Sequence, residues 1–198
     1  MMSYFLTFDL DFNYFIDKDL LIYKRNKKIK EYRHNYSINM RKCDINSTDK
    51  DIDFINNNYI SNYDDHHNVH KFCCNAKECD IAYLSMINEQ FHVLFDDIDR
   101  AEHMFKCLGY SVEINNKDLS MLIFSLYENL EKINNEKECR ILQSEINSEI
   151  KNLINNLYLK FSEQNYKIAI EIWQKAFFLK KFSHKIIRKI RFINHNNE

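Results

Sequence analysis

The residues in this sequence with the types and spacing most suited to chemistry are histidines and cysteines between positions 66 and 79. Imidazole and thiolate groups this close in sequence are ligands that zinc prefers. Read this way, the candidate zinc ligands are His66, His70, Cys73, Cys74 and Cys79. A biased local composition would explain the same cluster without any metal, so both interpretations stay open.

Features typical of an enzyme active site are missing from the rest of the sequence. The single glycine rules out a glycine-rich loop that could cradle phosphate groups. No nucleophile stands beside a candidate base, and no pair of carboxylates shares a helix face with a pocket implied. The sequence therefore predicts a protein that acts by binding and not by catalysis.

Composition excludes several other classes of protein. The 198 residues are 45% apolar and 14% aromatic, which is enough to bury a core. The net charge of -1 disfavours a globally basic nucleic-acid binder. We expect no membrane span, because no apolar run approaches the roughly 18 residues needed. The acidic, aromatic opening does not resemble a signal peptide, so the six cysteines are expected to be mostly free thiols in a reducing compartment.

The elements that must position any site are helical by pattern. A helix is expected from about Asp19 to Tyr32, followed by a long polar loop or insertion over residues 36–77. Over residues 78–110, apolar residues recur every three or four positions on one helical face, namely Ile81, Leu84, Ile87, Phe91 and Leu94.

Three further helices are predicted after Asp118. Their apolar stripes run from Leu119 to Ile133, from Leu142 to Phe161 and from Tyr166 to Ile190. Short polar joints favour antiparallel neighbours, and Ser162 is a candidate N-cap for the last helix. No stretch alternates with period two, so the predicted fold class is all-α.

Three motifs occur in the same order as in a known family. The stretch Ile87-Asn88-Glu89-Gln90-Phe91 precedes Leu94, Arg100-Ala101-Glu102 and Gly109. Near the start stands Ser3-Tyr4-Phe5-Leu6-Thr7-Phe8-Asp9-Leu10. Near the end stand Tyr166-Lys167-Ile168-Ala169 and Lys175-Ala176-Phe177-Phe178-Leu179. Together they resemble the HscB family, the J-type co-chaperones of iron–sulfur cluster assembly.

The resemblance implies a J domain over residues 1–105, containing the insertion, and a C-terminal three-helix bundle over residues 106–198. It also implies a J-type co-chaperone that binds the iron–sulfur cluster scaffold protein. The co-chaperone would present the scaffold to a DnaK-type chaperone and stimulate the chaperone's ATPase. The expected partners are these two proteins, with no nucleic acid, no membrane and no cofactor other than the zinc considered above.

The resemblance also assigns a chaperone-binding surface. It falls on the basic helix and the residues after it, namely Lys24, Arg25, Lys27, Lys28, Arg33, His34 and Asn35. In the family a His-Pro-Asp loop follows this helix, whereas this chain reads Arg33-His34-Asn35 and lacks both the proline and the aspartate. Without a chaperone, the basic run would be an ordinary solvated face and the following residues a plain surface turn.

The scaffold-binding surface implied by the family maps to Leu122, Ile123, Leu126 and Phe178. The acidic residues that flank this surface in the family fall on Tyr127 and Leu130 here, so its charge is altered. The alternative is that these apolar side chains are simply bundle core.

Two alternatives to the full co-chaperone function remain. One is a J-like adaptor that holds the scaffold without stimulating an ATPase. The other is an unrelated helical interaction protein with a metal-binding insertion. The expected location is the mitochondrial matrix or a mitochondrion-derived organelle (mitosome), or the cytoplasm if the source is bacterial. Because the resemblance begins at Ser3, import into such an organelle would need an internal signal.

Overall fold

A computed structural model describes residues 3–45, 76–112 and 117–195, and within these ranges the side chains of 35–45, 76–80, 117 and 118 are not described. The described ranges contain helices and no β-strand, which confirms the predicted all-α class. The helices are α1 (Tyr4–Thr7), α2 (Lys18–Ile45), α3 (Ala76–Phe95), α4 (Asp97–Cys107), α5 (Lys117–Lys132), α6 (Glu136–Ser162) and α7 (Tyr166–His195). A search of the described helices found none with the length and hydropathy of a membrane-spanning segment.

The N-terminal unit comprises Tyr4–Asp11 and Ile16–His92. Its main feature is a hairpin of α2 and α3, which run antiparallel: Arg25 contacts Asn88, and the later Tyr32 stacks on the earlier Tyr83 at 4.0 Å between ring centroids. Buried apolar side chains hold this unit together, namely Phe5, Phe8, Ile16, Leu21, Ile87 and Phe91. A helical hairpin with a short preceding helix fits the predicted J domain.

Two predictions about this hairpin are wrong. Helix α2 does not end near Tyr32 but continues to Ile45, because residues 33–45 contain no proline or glycine to stop it. Residues 36–45 of the expected loop are therefore helical, and residues 46–75 lie outside the described residues. The spacing predicts Ile81 in the apolar stripe of α3, yet this side chain is 69% exposed, whereas Ile87 and Leu94 are fully buried.

The C-terminal unit comprises Met1–Ser3, Phe12–Phe15 and Val93–Glu198. Helices α6 and α7 form its most extensive contact, and α4 and α5 also pack against α7. The predicted stripes of α6 and α7 are largely confirmed, since they supply most of the core: Ile146, Leu153, Leu157, Phe161, Ala169, Trp173, Ala176, Leu179, Phe182, Ile186 and Ile190. The expected domain boundary at residue 105 falls inside α4, which lies wholly in this unit, so the ranges 1–105 and 106–198 stay a prediction.

The N-cap of α7 differs from the prediction. Ser162 is the last residue of α6, and its hydroxyl donates to the carbonyl of Leu159. Asn165 takes the expected role, because its side-chain oxygen accepts from the amide of Ile168 at 3.5 Å, and Asn135 caps α6 in the same way. An asparagine caps the helix that follows each of the two joints. The predicted position of the joint is therefore correct, and the predicted capping residue is wrong.

Candidate functional site

The turn between α3 and α4 is built on Asp96. Its carboxylate accepts hydrogen bonds from the amides of Ile98 and Asp99 at 3.0 and 3.1 Å, which caps the start of α4. These bonds use donors that the new helix cannot satisfy internally. The aspartate is therefore the reason one helix ends and the next begins at this point.

Arg100 fixes the same turn from the inside of the C-terminal unit. Its side chain is 3% exposed, and its Nε donates to the carbonyl of Tyr14 at 2.7 Å. Its two terminal nitrogens donate to the carbonyl of Leu94 and to the carboxylate of Asp97. One guanidinium thus joins the last turn of α3, the first turn of α4 and the segment 12–15. This explains an arginine so soon after the turn, because its side chain positions these elements.

Trp173 and Lys180 of α7 hold α4 in place. The Trp173 indole donates to the carbonyl of Ile98 at 3.0 Å. The Nζ atom of Lys180 lies 2.9 Å from Oδ1 of Asp96 and 2.9 Å from Oδ1 of Asp99. Burial works to raise the pKa of Asp96, but hydrogen bonds from Lys180 and the backbone outweigh it and lower the pKa. Burial alone would lower the pKa of Lys180, but the hydrogen bonds and negative charges of Asp96 and Asp99 outweigh burial and raise it. Both shifts favour the charged pair, so it stays ionised through the neutral range.

The residues assigned to scaffold binding lie on the surface of the bundle formed by α5 and α7. Leu122, Ile123 and Leu126 are all half-buried, unlike Leu119 and Leu130 of the same helix, which are buried in the core. Phe178 of α7 is also half-buried and contacts Tyr127 of α5, with 6.4 Å between ring centroids. Each of these side chains retains surface that a partner could cover.

Two exposed apolar residues on α5 were missed by sequence reasoning. Met121 and Phe124 are 70% and 66% exposed, although large apolar side chains favour burial. They lie three residues apart and therefore on one side of the helix. The signal that could have found them is their position: neither belongs to the stripe that runs from Leu119 to Leu130, so an apolar side chain there has no core to enter.

The basic run on α2 separates into two groups of residues. Arg25 donates to the side-chain oxygen of Asn88 at 3.0 and 2.6 Å and lies 4.8 Å from the centroid of the Phe91 ring, so it fastens the hairpin. Lys28 pairs with Asp9 at 3.0 Å, and this hydrogen bond lowers the pKa of the Asp9 carboxyl. Lys24 reaches the carbonyl of Asp9 at 3.5 Å. Lys27 is exposed, and its ammonium lies 3.8 Å from the carboxylate of Glu31.

The residues aligned with the His-Pro-Asp loop are not in a loop. Arg33, His34 and Asn35 all lie within the continuous helix α2, and His34 is exposed. A proline inside a helix would remove a hydrogen bond and clash with the preceding turn, so the absence of proline is consistent with this helix. Neither the family's loop nor the plain surface turn expected from the sequence is found here.

The candidate zinc ligands cannot be assembled from the described residues. His66, His70, Cys73 and Cys74 lie outside them, and Cys79 lies in α3 with its side chain not described. Among the side chains that are described, no group of three or more histidine, cysteine or acidic residues could hold a metal ion.

Comparison with known proteins gives an independent view of both halves of the chain. Residues 115–187 match the family model of the HSCB C-terminal oligomerisation domain. Two solved structures resemble the whole chain. HscB from Vibrio cholerae has a TM-score of 0.64 at 17% identity, covering 94% of this chain and 96% of that one. Human HscB has a TM-score of 0.66 at 14% identity, covering 96% of this chain and 82% of that one. No match was found among curated protein sequences.

At these identities the two structures establish the shared fold, and the family model adds a sequence match over α5, α6 and most of α7. The family model and the shared fold carry the same family name as the resemblance of the three motifs. The domain match in the C-terminal half and the fold shared over nearly the whole length both agree with the resemblance to the HscB family.

Proposed function

We propose that this chain is a J-type co-chaperone whose bundle binds the iron–sulfur cluster scaffold protein and whose α2 helix engages a DnaK-type chaperone, stimulating its ATPase. The observation that carries the proposal is the row of half-buried apolar side chains on α5, beside Phe178 of α7, within the region that matches the HscB domain. Apolar side chains that keep part of their surface on a folded bundle are suited to binding another protein.

The first prediction concerns the scaffold-binding surface. Replacing Leu122 and Ile123 together by alanine is expected to weaken scaffold binding by about 1–2 kcal/mol, or roughly 5- to 30-fold in Kd, because apolar contact area is lost at the interface. Isothermal titration calorimetry with the scaffold protein from the same genome measures the change.

A matched control is available in the same unit. Ile141 and Leu159 of α6 are each 51% exposed, and their double alanine variant removes comparable apolar surface away from α5. It should bind like the wild type. Equal affinity of the Leu122/Ile123 variant and the wild type, with both proteins folded by circular dichroism, would contradict the assigned surface.

Fewer basic side chains of α2 are available to a chaperone than the sequence alone predicts. Arg25 is engaged within the hairpin and Lys24 and Lys28 lie against Asp9, whereas Lys27 and Lys30 are among the exposed cations of the run. Exposed cations act mainly by speeding association with an acidic partner, and salt weakens this effect.

A second candidate function is favoured by one specific observation. Arg33-His34-Asn35 is helical and lacks the proline and aspartate of the family's loop. This supports an adaptor that holds the scaffold near a chaperone without stimulating ATP hydrolysis. The two functions share the bundle surface and differ only at α2.

A single-turnover ATPase assay with the DnaK-type chaperone of the same genome separates them. Under the co-chaperone proposal, the protein accelerates hydrolysis, and reversing Lys27 and Lys30 to glutamate lowers the acceleration about 3- to 10-fold at low salt. Reversing Lys137 and Lys151 of α6 is the charge-matched control and should change little. No acceleration at any concentration, with scaffold binding intact, would leave the adaptor function in place.

The proposed location follows from the family and the partners. Iron–sulfur scaffold proteins and DnaK-type chaperones meet in the mitochondrial matrix, in mitosomes or in the bacterial cytoplasm, and we propose one of these compartments. Localising a tagged protein in the source organism tests this.

A further inference from the structure

The second half of α7 carries a surface stripe that shares Phe178 with the scaffold-binding surface and otherwise lies outside it. Its members are Phe178, Lys181, Lys185, Arg188 and Phe192, hereafter the basic stripe. Their spacing of three or four residues places them on one face of the helix, along roughly 21 Å at 1.5 Å per residue. Lys181, Lys185 and Arg188 are exposed, and Phe192 is 68% exposed.

Charge is strongly biased over this part of the chain. Residues 172–195 contain seven lysines and arginines and no aspartate or glutamate. Three of the seven have internal roles: Lys175 pairs with Glu149, Lys180 pairs with Asp96 and Asp99, and Lys189 donates to the carbonyls that end α5. Among the described residues, no ion pair is found for the three cations of the stripe.

Two of these cations are held by aromatic rings. The Lys181 ammonium lies 4.1 Å from the centroid of Phe177, and the Lys185 ammonium lies 4.3 Å from that of Tyr127. Such cation–π contacts restrict long, flexible side chains and so reduce the entropy that binding would cost. They also cover the ring faces, which are then not open for stacking on nucleic-acid bases.

An open groove of about 330 Å³ runs between α5 and α7 beside the stripe. It is lined by Tyr127, Leu130, Glu131, Lys185, Arg188 and Lys189. Tyr127 joins the groove to the scaffold-binding surface, because its ring also contacts Phe178, a member of that surface. The apolar surface and the cations are therefore continuous on this side of the bundle.

We propose that the basic stripe is a docking surface for an acidic, partly apolar surface of the scaffold protein. The inference rests on the proposed function and adds the sign of the charge that the partner must present. Three exposed cations on a stretch of helix without aspartate or glutamate favour a partner that presents carboxylates, while Phe178, Phe192 and Tyr127 supply apolar contact. Covered rings and a net charge of -1 for the chain favour a protein partner over a nucleic acid.

The test reverses the three cations together. Binding of the same-genome scaffold protein to the full chain is measured by surface plasmon resonance at several salt concentrations. The variant Lys181→Glu, Lys185→Glu, Arg188→Glu is expected to lower the association rate by about tenfold or more at low salt and to remove most of its salt dependence. The control variant Lys137→Glu, Lys151→Glu, Arg191→Glu makes the same charge change at exposed positions off the stripe and should change the rate much less.

A charge exchange gives the positive result. Scaffold variants with surface carboxylates replaced by lysine should bind the wild type more weakly, and at least one should restore binding to the triple-reversed chain. Scaffold binding that is equal in the triple-reversed and control variants overturns the inference and leaves the proposed function standing. Failure of the wild type to bind the scaffold overturns both. Stripe-dependent binding of single-stranded RNA or phosphatidylserine vesicles, with scaffold binding unaffected, also overturns it.

Discussion

Replacing Arg100 with methionine is expected to destabilise the C-terminal unit by about 3–5 kcal/mol, the cost of removing one partner from a buried ionic pair. The carboxylate of Asp97 and the carbonyls of Tyr14 and Leu94 would each lose a donor. Leu94 has no donor in its own helix, because the amide of Ile98, four residues on, is directed to Asp96. Urea unfolding followed by tryptophan fluorescence measures the loss, and the only tryptophan, Trp173, lies in this unit.

Arg140 is the matched control for this substitution. It also pairs with a carboxylate, Glu136, but its side chain is 62% exposed, so Arg140→Met should change the free energy of unfolding by no more than about 0.5 kcal/mol. Arg100→Lys should behave more like the methionine variant, because an ammonium cannot reach three acceptors in a planar fork. A loss below about 1 kcal/mol for Arg100→Met would contradict the joining role of this side chain.

Replacing Trp173 with alanine is the second large effect, again expected to be about 3–5 kcal/mol. The side chain is 2% exposed, contacts Phe105 and Phe177, and donates to the carbonyl of Ile98. Alanine would leave a cavity between α4 and α7 and remove the hydrogen bond. Because this variant has no tryptophan, its unfolding is followed by circular dichroism at the helical band.

Two variants separate packing from hydrogen bonding at this position. Trp173→Phe keeps an aromatic ring and loses the donor, so a smaller loss of about 1–2 kcal/mol is expected. Phe192→Ala removes an aromatic side chain from the surface of the same helix and should cost at most about 0.5 kcal/mol. Similar losses for Trp173→Ala and Phe192→Ala would contradict the docking of α4 through Trp173.

The fold was predictable where apolar spacing is strong. Ile87, Phe91 and Leu94 in α3 and the stripes of α6 and α7 are buried as predicted, since a repeat of three or four residues determines which helix face enters the core. The predictions of burial and of helix ends are wrong where the apolar repeat is weak or ends. Ile81 continues the spacing of α3 but is exposed, and α2 runs 13 residues past its predicted end at Tyr32 without a residue that would stop it.

The site was predictable only in part, because sequence spacing does not show which polar side chains meet. The sequence groups Arg25 with surface cations, whereas its contact with Asn88 depends on the hairpin that brings the two helices together. The basic stripe was not recognised either. Its residues alternate along α7 with core residues such as Phe182 and Ile186, so the charge bias becomes visible only once the buried face is known.

The position of α5 at the edge of the bundle has a dynamic consequence. Of its described side chains, only Leu119 and Leu130 are buried, one near each end of the helix. Its middle turns, where Leu122, Ile123 and Leu126 lie, bury less apolar area, so we expect α5 to open locally before the rest of the bundle unfolds. A protein that binds these turns would bury their apolar side chains and so stabilise α5. Binding and ordering of the helix would then be thermodynamically coupled.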